Sequence, residues 1–271
     1  MKYLKAKSFT ILTAMLLAFV FGTTLTAQPK VDPAPDGDAE NRRHEPKIEK
    51  FDEVNGVRVK LPVQVELRHG DGMWSGIMIE GKQDVIDNVV VNYNDNENML
   101  SIEGDGLKRY FIDQNDLKIV VLVDNLEEIH AEKDAEVTVT EHFPYAKHIQ
   151  MKLHDHAMLS FRAPVSAKTL SLETYDQSSA FLDGDILETE YAASNRSKIW
   201  ATDVKSESTK VSASDFSEVN VHADDLLDIK AFDDSVVRYT GWPADRDITF
   251  ATDGQVRDFN MTDNDHGRDF H

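Results

Sequence analysis

The hydrophobic positions from residue 129 onward repeat with a period of roughly 20 residues. Within each unit, the residues at offsets zero, two, eight and ten from the start are mostly apolar, and the residues between them are mostly polar. Because successive side chains of a β-strand point to opposite faces, each unit predicts two short strands that bury their apolar side chains in one shared interior. Six such units follow one another, starting at Ile129, Met151, Leu172, Tyr191, Val211 and Ile229.

A corner is expected between the two strands of every unit. Asp and Asn bond to their own backbone and tolerate unusual dihedral angles, and a small residue lets the chain bend inward, so this spacing predicts a tight turn. Offset four carries Lys133 in the first unit and Asp or Asn in the other five, at Asp155, Asp176, Asn195, Asp215 and Asp233. Offset six is always small, at Ala135, Ala157, Ser178, Ser197, Ser217 and Ser235.

A strand–turn–strand unit that repeats in phase predicts an all-β fold, a parallel β-helix or β-solenoid with coils of about 20 residues. Helical repeats are excluded because no unit contains a period of 3.6 residues over ten or more positions. A β-sandwich also has many short strands and stays open as the alternative, but its strands do not normally repeat a corner residue in phase.

The preceding segment, residues 51–125, is rich in β pattern but less regular. Apolar residues alternate from Val57 to Leu67, and Pro62 marks an outward or edge position in that run. We expect longer strands here to form the first coils and to cap the solenoid, with regular coils over residues 126–245. The sequence thus predicts a single solenoid domain over residues 51–260.

The N-terminal residues have the pattern of a secretory signal peptide. Three lysines precede an apolar run from Phe9 to Phe21, and small residues follow up to Ala27. The run is shorter than the ~20 residues that a membrane-spanning helix needs, so the pattern favours a signal peptide over residues 1–27 rather than a membrane anchor. Residues 28–50 mix proline with charge and predict a flexible leader, and residues 261–271 predict a disordered tail. We therefore expect an exported protein, in the periplasm, at the outer-membrane surface or outside the cell, with no membrane-spanning segment in the mature chain.

Composition excludes several classes of function. The 271 residues include no cysteine, which rules out a disulfide scaffold, a cysteine-based metal site and a thiol nucleophile. The chain has 29 Lys and Arg against 49 Asp and Glu, and a net charge of −20 disfavours nucleic acid as a partner. No phosphate-binding loop, dinucleotide fingerprint or nucleophile elbow occurs in the sequence.

One cluster of side chains suggests metal chemistry. His154 and His156 are two residues apart, which on a strand would place both imidazoles on one face. Glu132 and Asp134 occupy the equivalent offsets one coil earlier, and two imidazoles with two carboxylates suit a metal such as zinc. The alternative is a solvated surface with weak histidine–carboxylate pairs, which the corner at Asp155 favours. We therefore predict no catalytic, cofactor-binding or metal-binding residue from the sequence.

The sequence also resembles a known family. The run from Phe51 through Asn55-Gly56-Val57, together with His69-Gly70-Asp71 and Asn98-Met99-Leu100-Ser101-Ile102, is similar to the autotransporter adhesin head (GIN) domain family of exported Bacteroidetes-type proteins. The resemblance covers residues 51 to about 250 and rests on structural positions rather than a catalytic signature. It implies a right-handed β-helix and a role at the cell envelope or surface.

Together these observations predict a non-enzymatic, adhesin-like or structural module that presents flat acidic faces to a protein or a glycan. Among single residues, Trp200 is the best candidate for a contact, since its offset points it outward and an indole can stack on a sugar. The alternative function is that of a carbohydrate-active β-helix enzyme, a polysaccharide lyase or hydrolase. Such an enzyme needs two carboxylates at a defined separation, but with 49 acidic residues a carboxylate pair is expected on almost any surface.

Overall fold

Strands stacked one coil above another make up most of the described chain. The computed structural model describes residues 45–70, 74–104 and 117–260. The predicted signal peptide, residues 28–44 of the predicted leader and the predicted tail 261–271 lie outside the described residues. The protein is a β-solenoid with coils about 20 residues apart, as the repeat predicts.

A short helix, α1 (Gln83–Ile86), interrupts the series of strands. The strands in chain order are β1 (Lys47–Phe51), β2 (Gly56–Lys60), β3 (Gln64–His69), β4 (Ser75–Gly81), β5 (Val89–Asn94), β6 (Met99–Gly104), β7 (Leu117–Val123), β8 (Glu128–Ala131), β9 (Glu136–Val139), β10 (Phe143–Leu153), β11 (Met158–Phe161), β12 (Val165–Thr174), β13 (Ser179–Ala193), β14 (Lys198–Lys205), β15 (Ser208–Ala213), β16 (Glu218–His222), β17 (Leu226–Ala231), β18 (Val236–Thr240), β19 (Asp245–Phe250) and β20 (Gln255–Asp258). Within the described residues, no helix is of a length and apolar character that would let it traverse a bilayer.

The strands form two long parallel ladders, and the repeat offset fixes the register in both. In the first-strand ladder (β6, β2, β8, β10, β12, β13, β15, β17 and β19), Tyr191 lies between Leu172 and Val211. In the second-strand ladder (β7, β3, β9, β11, β13, β14, β16, β18 and β20), Ile199 lies between Ala180 and Val219. These inward-facing residues are all buried, so each coil covers the apolar side chains of its neighbours.

The corner has the same backbone geometry in seven coils of the described chain. At offsets four and five, two consecutive residues have φ between 52° and 63° in each of these coils. Within a coil, the amide of Ser217 donates to the carbonyl of Ser214 at 3.2 Å, which closes a type I′ turn. Between coils, the amide of Phe216 donates to the carbonyl of Asp233 at 2.9 Å. The predicted turn is therefore confirmed, and Asp or Asn is favoured at offset four because these side chains tolerate the left-handed region.

The small residues at offset six lie inside the corner. Ser197, Ser217 and Ser235 are buried, and each hydroxyl donates to a carbonyl at offset two of the preceding coil at 2.9–3.1 Å. Ser178 is equally buried, but its hydroxyl has no hydrogen-bond partner among the described residues. The serine column thus lines the interior in register, as the repeat requires.

A further coil follows the six that the sequence predicts. It starts at Ile248, turns at Thr252 and Asp253, and places Gly254 at offset six. The sequence pattern missed this coil because its offset four is Thr252 and its offset ten is Asp258, where most of the predicted units have Asp or Asn and an apolar residue. Regular stacking therefore continues beyond residue 245, where the prediction ended it.

The first coil of the chain is not the first coil of the stack. Val57 on β2 lies between Leu100 on one side and Ile129 on the other. Val65 on β3 lies in the same way between Ile119 and Val137. Strands β6 and β7 therefore form the coil outside β2 and β3, although they come later in the sequence.

Antiparallel strands cover this end of the solenoid. Strand β4 pairs with β7, β1 pairs with β4, and β5 pairs with β6. These pairings satisfy strand edges that would otherwise be exposed, which is the predicted role of this segment. The first described strand, β1, begins at Lys47, which lies inside the leader predicted over residues 28–50. Pro62 lies in a turn between β2 and β3, where the amide of Val63 donates to the carbonyl of Leu61 at 2.8 Å, and it is partly exposed between buried Leu61 and Val63, which agrees with the predicted outward position.

Candidate functional site

The predicted histidine cluster lies on two stacked corners. His154 is at offset three and His156 at offset five, and the backbone between them turns through positive φ at Asp155 and His156. The two imidazoles therefore do not share the face of a strand, and the corner that the sequence predicts at Asp155 is confirmed. Glu132 and Asp134 occupy the equivalent places one coil earlier, as the repeat predicts, and the amide of Asp134 donates to the carbonyl of Asp155 at 2.8 Å.

His154 instead makes contacts with the next coil. Its ring stacks on Tyr175 with the two centroids 4.7 Å apart and the planes at 15°. Its Nδ1 atom lies 3.9 Å from a carboxylate oxygen of Asp176. Among the described residues no three His, Asp or Glu side chains are grouped in a way that could hold a metal ion. The described contacts of His154 are therefore the ring of Tyr175 and the carboxylate of Asp176.

The corners form a column of exposed polar side chains along the solenoid. The cavity between successive corners measures about 350 Å³ and is lined by Asp176, Gln177, Asn195, Arg196, Asp215 and Phe216. Asn195 donates to Asp176 at 3.0 Å, and the guanidinium of Arg196 lies 5.6 Å from the ring centroid of Phe216. Because each corner is held to the next by a backbone hydrogen bond, these side chains are presented at a fixed spacing.

A mixed-charge cluster lies on the outer face of the first-strand ladder around His130. Arg58 Nε donates to His130 Nδ1 at 3.3 Å, and Nε2 lies 2.7 Å from Glu128 Oε1. Burial lowers the pKa of His130, and the charges of Arg58 and Lys152 lower it further, which outweighs the opposite effect of Glu128 and Glu132. The imidazole is therefore neutral at neutral pH and accepts the hydrogen bond from Arg58.

The three tryptophans are dispersed. Trp74 lies within 5.0 Å of the ammonium of Lys50 at the N-terminal end of the solenoid, and Trp242 is 74% exposed on the connection between β18 and β19. Trp200 lies on the outer face of the second-strand ladder, as its offset predicts, and stacks on Phe181.

The Phe181–Trp200 pair is a functional candidate that the sequence reasoning found only in part. The centroids are 4.4 Å apart and the planes are at 4°, so the rings are stacked face to face along the solenoid. Phe181 is 39% exposed. The two residues share offset nine in successive coils, and comparison of that offset along the repeat would have revealed the pair.

Comparison with known proteins places these features in a family context. The model of a protein family described as "Putative auto-transporter adhesin, head GIN domain" matches residues 53–243. No curated protein is significantly similar to the chain.

Solved structures of low sequence identity share the fold. A protein from Bacteroides fragilis described as a putative adhesin is 13% identical, with a TM-score of 0.70 over 81% of this chain and 98% of that one. A putative adhesin from Parabacteroides merdae is 14% identical, with a TM-score of 0.63 over 79% of this chain and 95% of that one. A protein from Parabacteroides distasonis described as a putative lipid binding protein is 14% identical, with a TM-score of 0.55 over 79% of this chain and 96% of that one. At these identities the likeness is one of fold.

Proposed function

Because this chain belongs to the auto-transporter adhesin head GIN domain family, we propose that it is an exported, adhesin-like protein of the cell envelope or surface, without enzymatic activity. Its solenoid would present flat acidic faces to a protein or glycan partner. Two of the structural neighbours are described as "putative adhesin", which supports a role in binding. The neighbour described as a lipid binding protein indicates that the same fold can serve another ligand.

The observation that carries the proposal is the rigid, periodic presentation of outward side chains. Each coil is tied to the next by backbone hydrogen bonds at the corner and along both ladders. Exposed side chains at one offset are therefore repeated at the strand spacing of about 4.8 Å, on a surface that loses little entropy when it binds. Such a surface suits an extended partner that makes many small contacts.

A glycan array and a pull-down from envelope extract test this role. Both would use the full chain, and binding of a defined glycan or enrichment of an envelope protein is the expected result. A chain with Asp176, Asp215 and Asp233 changed to Asn should keep its fold, since Asn is accepted at these corners, but bind differently if the acidic corner column takes part. Turnover of a polysaccharide in the same array would contradict the non-enzymatic proposal and favour a carbohydrate-active enzyme.

Export is tested separately. We expect cell fractionation to find the protein outside the cytoplasm, with Gln28 as the N-terminal residue after cleavage behind Ala27. Recovery in the cytoplasm with an intact N-terminus would contradict export while leaving the binding proposal open to the array.

A further inference from the structure

The aromatic pair on the second-strand ladder has one open ring face. Phe181 and Trp200 are register partners on adjacent coils, and their centroid distance of 4.4 Å is close to the spacing of neighbouring strands. The ring normals therefore run along the solenoid, and Trp200 covers one face of Phe181. The opposite face of Phe181 is directed at the coil that carries Ser160, its register partner on β11. Phe181 is 39% exposed, so a ligand can reach this face.

A shelf of short hydroxyl side chains extends from Phe181 toward the N-terminal coils. Ser160 is paired with Thr138, and Thr138 is paired with Glu66 on the next strand. These outward residues alternate with buried ones such as Leu159, so they lie on the same outer face as Phe181. Two strand spacings separate Phe181 from Thr138, which gives a shelf about 10 Å long.

The shelf ends in a pocket with cationic walls. This cavity measures about 270 Å³, near the lower end of the range for small-molecule sites. Among its lining residues, Lys118 and Arg162 are exposed cations. The remaining polar side chains of its wall are Gln64, Glu66, Thr138 and Thr140.

The single carboxylate of the pocket lining, Glu66, is paired with a neighbouring arginine. Glu66 accepts hydrogen bonds from Arg68 Nε and from Thr140 Oγ1, both at 2.9 Å. Burial raises the pKa of Glu66, but these hydrogen bonds and the charges of Arg68 and Lys118 outweigh burial and hold the pKa below its usual value. Glu66 therefore stays ionised and is hydrogen-bonded to Arg68, and the pocket lining itself carries two cations, Lys118 and Arg162, against this one carboxylate.

We propose that this face binds a short acidic oligosaccharide. The apolar face of a pyranose ring would pack on the open face of Phe181, and a sugar carboxylate would accept hydrogen bonds from Arg162 and Lys118 in the pocket. The hydroxyls of Ser160 and Thr138 would form hydrogen bonds to the sugar units that lie between Phe181 and the pocket. The chain carries a net charge of −20, which repels an acidic ligand from most of its surface. The cationic pocket beside the aromatic ring therefore also fixes which end of the ligand carries the bound carboxylate. This inference rests on the proposed binding role and names the ligand class for it.

Calorimetric titration of the full chain with tetragalacturonate tests the site. The fully methyl-esterified tetramer has the same length without the charges, and we expect it to bind at least tenfold more weakly. Free galacturonate should also bind at least tenfold more weakly, because it cannot reach the pocket and Phe181 together. Equal affinity for the ester or for the monosaccharide would overturn the inference, as would no binding of the acidic tetramer at millimolar concentration.

Paired variants assign the contacts. Arg162→Gln should weaken binding of the acidic tetramer about tenfold to a hundredfold and leave the ester unaffected, whereas Phe181→Thr should weaken both. Lys210→Gln, on the outer face of the first-strand ladder, and Phe259→Thr, after β20, remove a matched charge and a matched exposed ring elsewhere and should change neither affinity. Equal losses in the control variants would overturn the assignment.

A different outcome separates this inference from the proposed function. If the pull-down enriches an envelope protein whose binding is unchanged by Arg162→Gln, and the tetramer does not bind, the glycan site is refuted while the adhesin-like role stands.

Discussion

The left-handed corner is a testable source of stability, and Asp215→Val isolates it. Asp215 has φ of 53° and lies on an exposed corner in the middle of the regular coils, where its side chain accepts a hydrogen bond from Ser214 at 2.9 Å. The left-handed region costs an ordinary L-residue roughly 1–2 kcal/mol, and a β-branched side chain is accepted there least readily. The exposed hydrogen bond adds at most about 1 kcal/mol. We therefore expect Asp215→Val to lower the free energy of unfolding by about 1–3 kcal/mol.

Urea unfolding followed by circular dichroism measures this change. Two variants serve as controls: Asp215→Gly, which needs no Cβ at positive φ and should stay within roughly 1 kcal/mol of the parent, and Ser212→Val, which places the same side chain on the exposed face of β15. Valine suits a strand, so Ser212→Val should be neutral or slightly stabilising. If the two valine variants had equal stability, the corner geometry would not be the origin of the Asp preference at offset four, and the reasoning would be refuted.

Three further predictions concern the interior and the pH dependence. Ser217→Ala should lower the free energy of unfolding by about 1–3 kcal/mol, because it removes a buried hydrogen bond. Ser178→Ala should be neutral or stabilising, because that hydroxyl has no partner among the described residues. Comparable losses of stability for the two variants in urea unfolding would contradict this. Gly184→Ala should cost about 1–3 kcal/mol in the same assay, since a Cβ at this position would collide with the carbonyl oxygen of Val165 on the neighbouring coil, and full parental stability would show that the backbone at Val165 can move aside. The pKa of His130 is lowered from 6.5 in the folded state, so the unfolded chain binds more protons there and the free energy of unfolding should fall as pH drops below about 6.5. His130→Gln should flatten this part of the plot of stability against pH relative to the parent. An unchanged slope would exclude His130 as its cause.

Sequence periodicity predicted the regular part of the solenoid because its information is local. Alternation of apolar and polar residues determines that side chains such as those of Val211 and Ile229 face inward. Asp or Asn at offset four and a small residue at offset six determine where the chain turns. The coil at Ile248 was missed for the same local reason, since Thr252 takes the left-handed corner that Asp or Asn fills in five of the six predicted units.

The candidate sites depended more on tertiary structure. The offset of Trp200 predicted its outward position, and the predicted corner at Asp155 turns the backbone between His154 and His156, so the two imidazoles do not share the face of a strand. The cationic pocket could not be found at all from the sequence. It needs Lys118 beside Gln64, and these residues meet only because β7 stacks on β3.

By itself, then, the order of amino acids determined the length of a coil, its inward and outward sides and the position of its turn. Only the folded chain decided that β6 and β7 stack outside β2 and β3, and thereby which charged groups meet at that end. The physical reason is that side-chain alternation and turn preferences act between near neighbours in the chain. The choice of which free strand edge to pair with is a competition among distant segments with similar hydrogen-bonding groups, and it is settled only when the whole interior is packed.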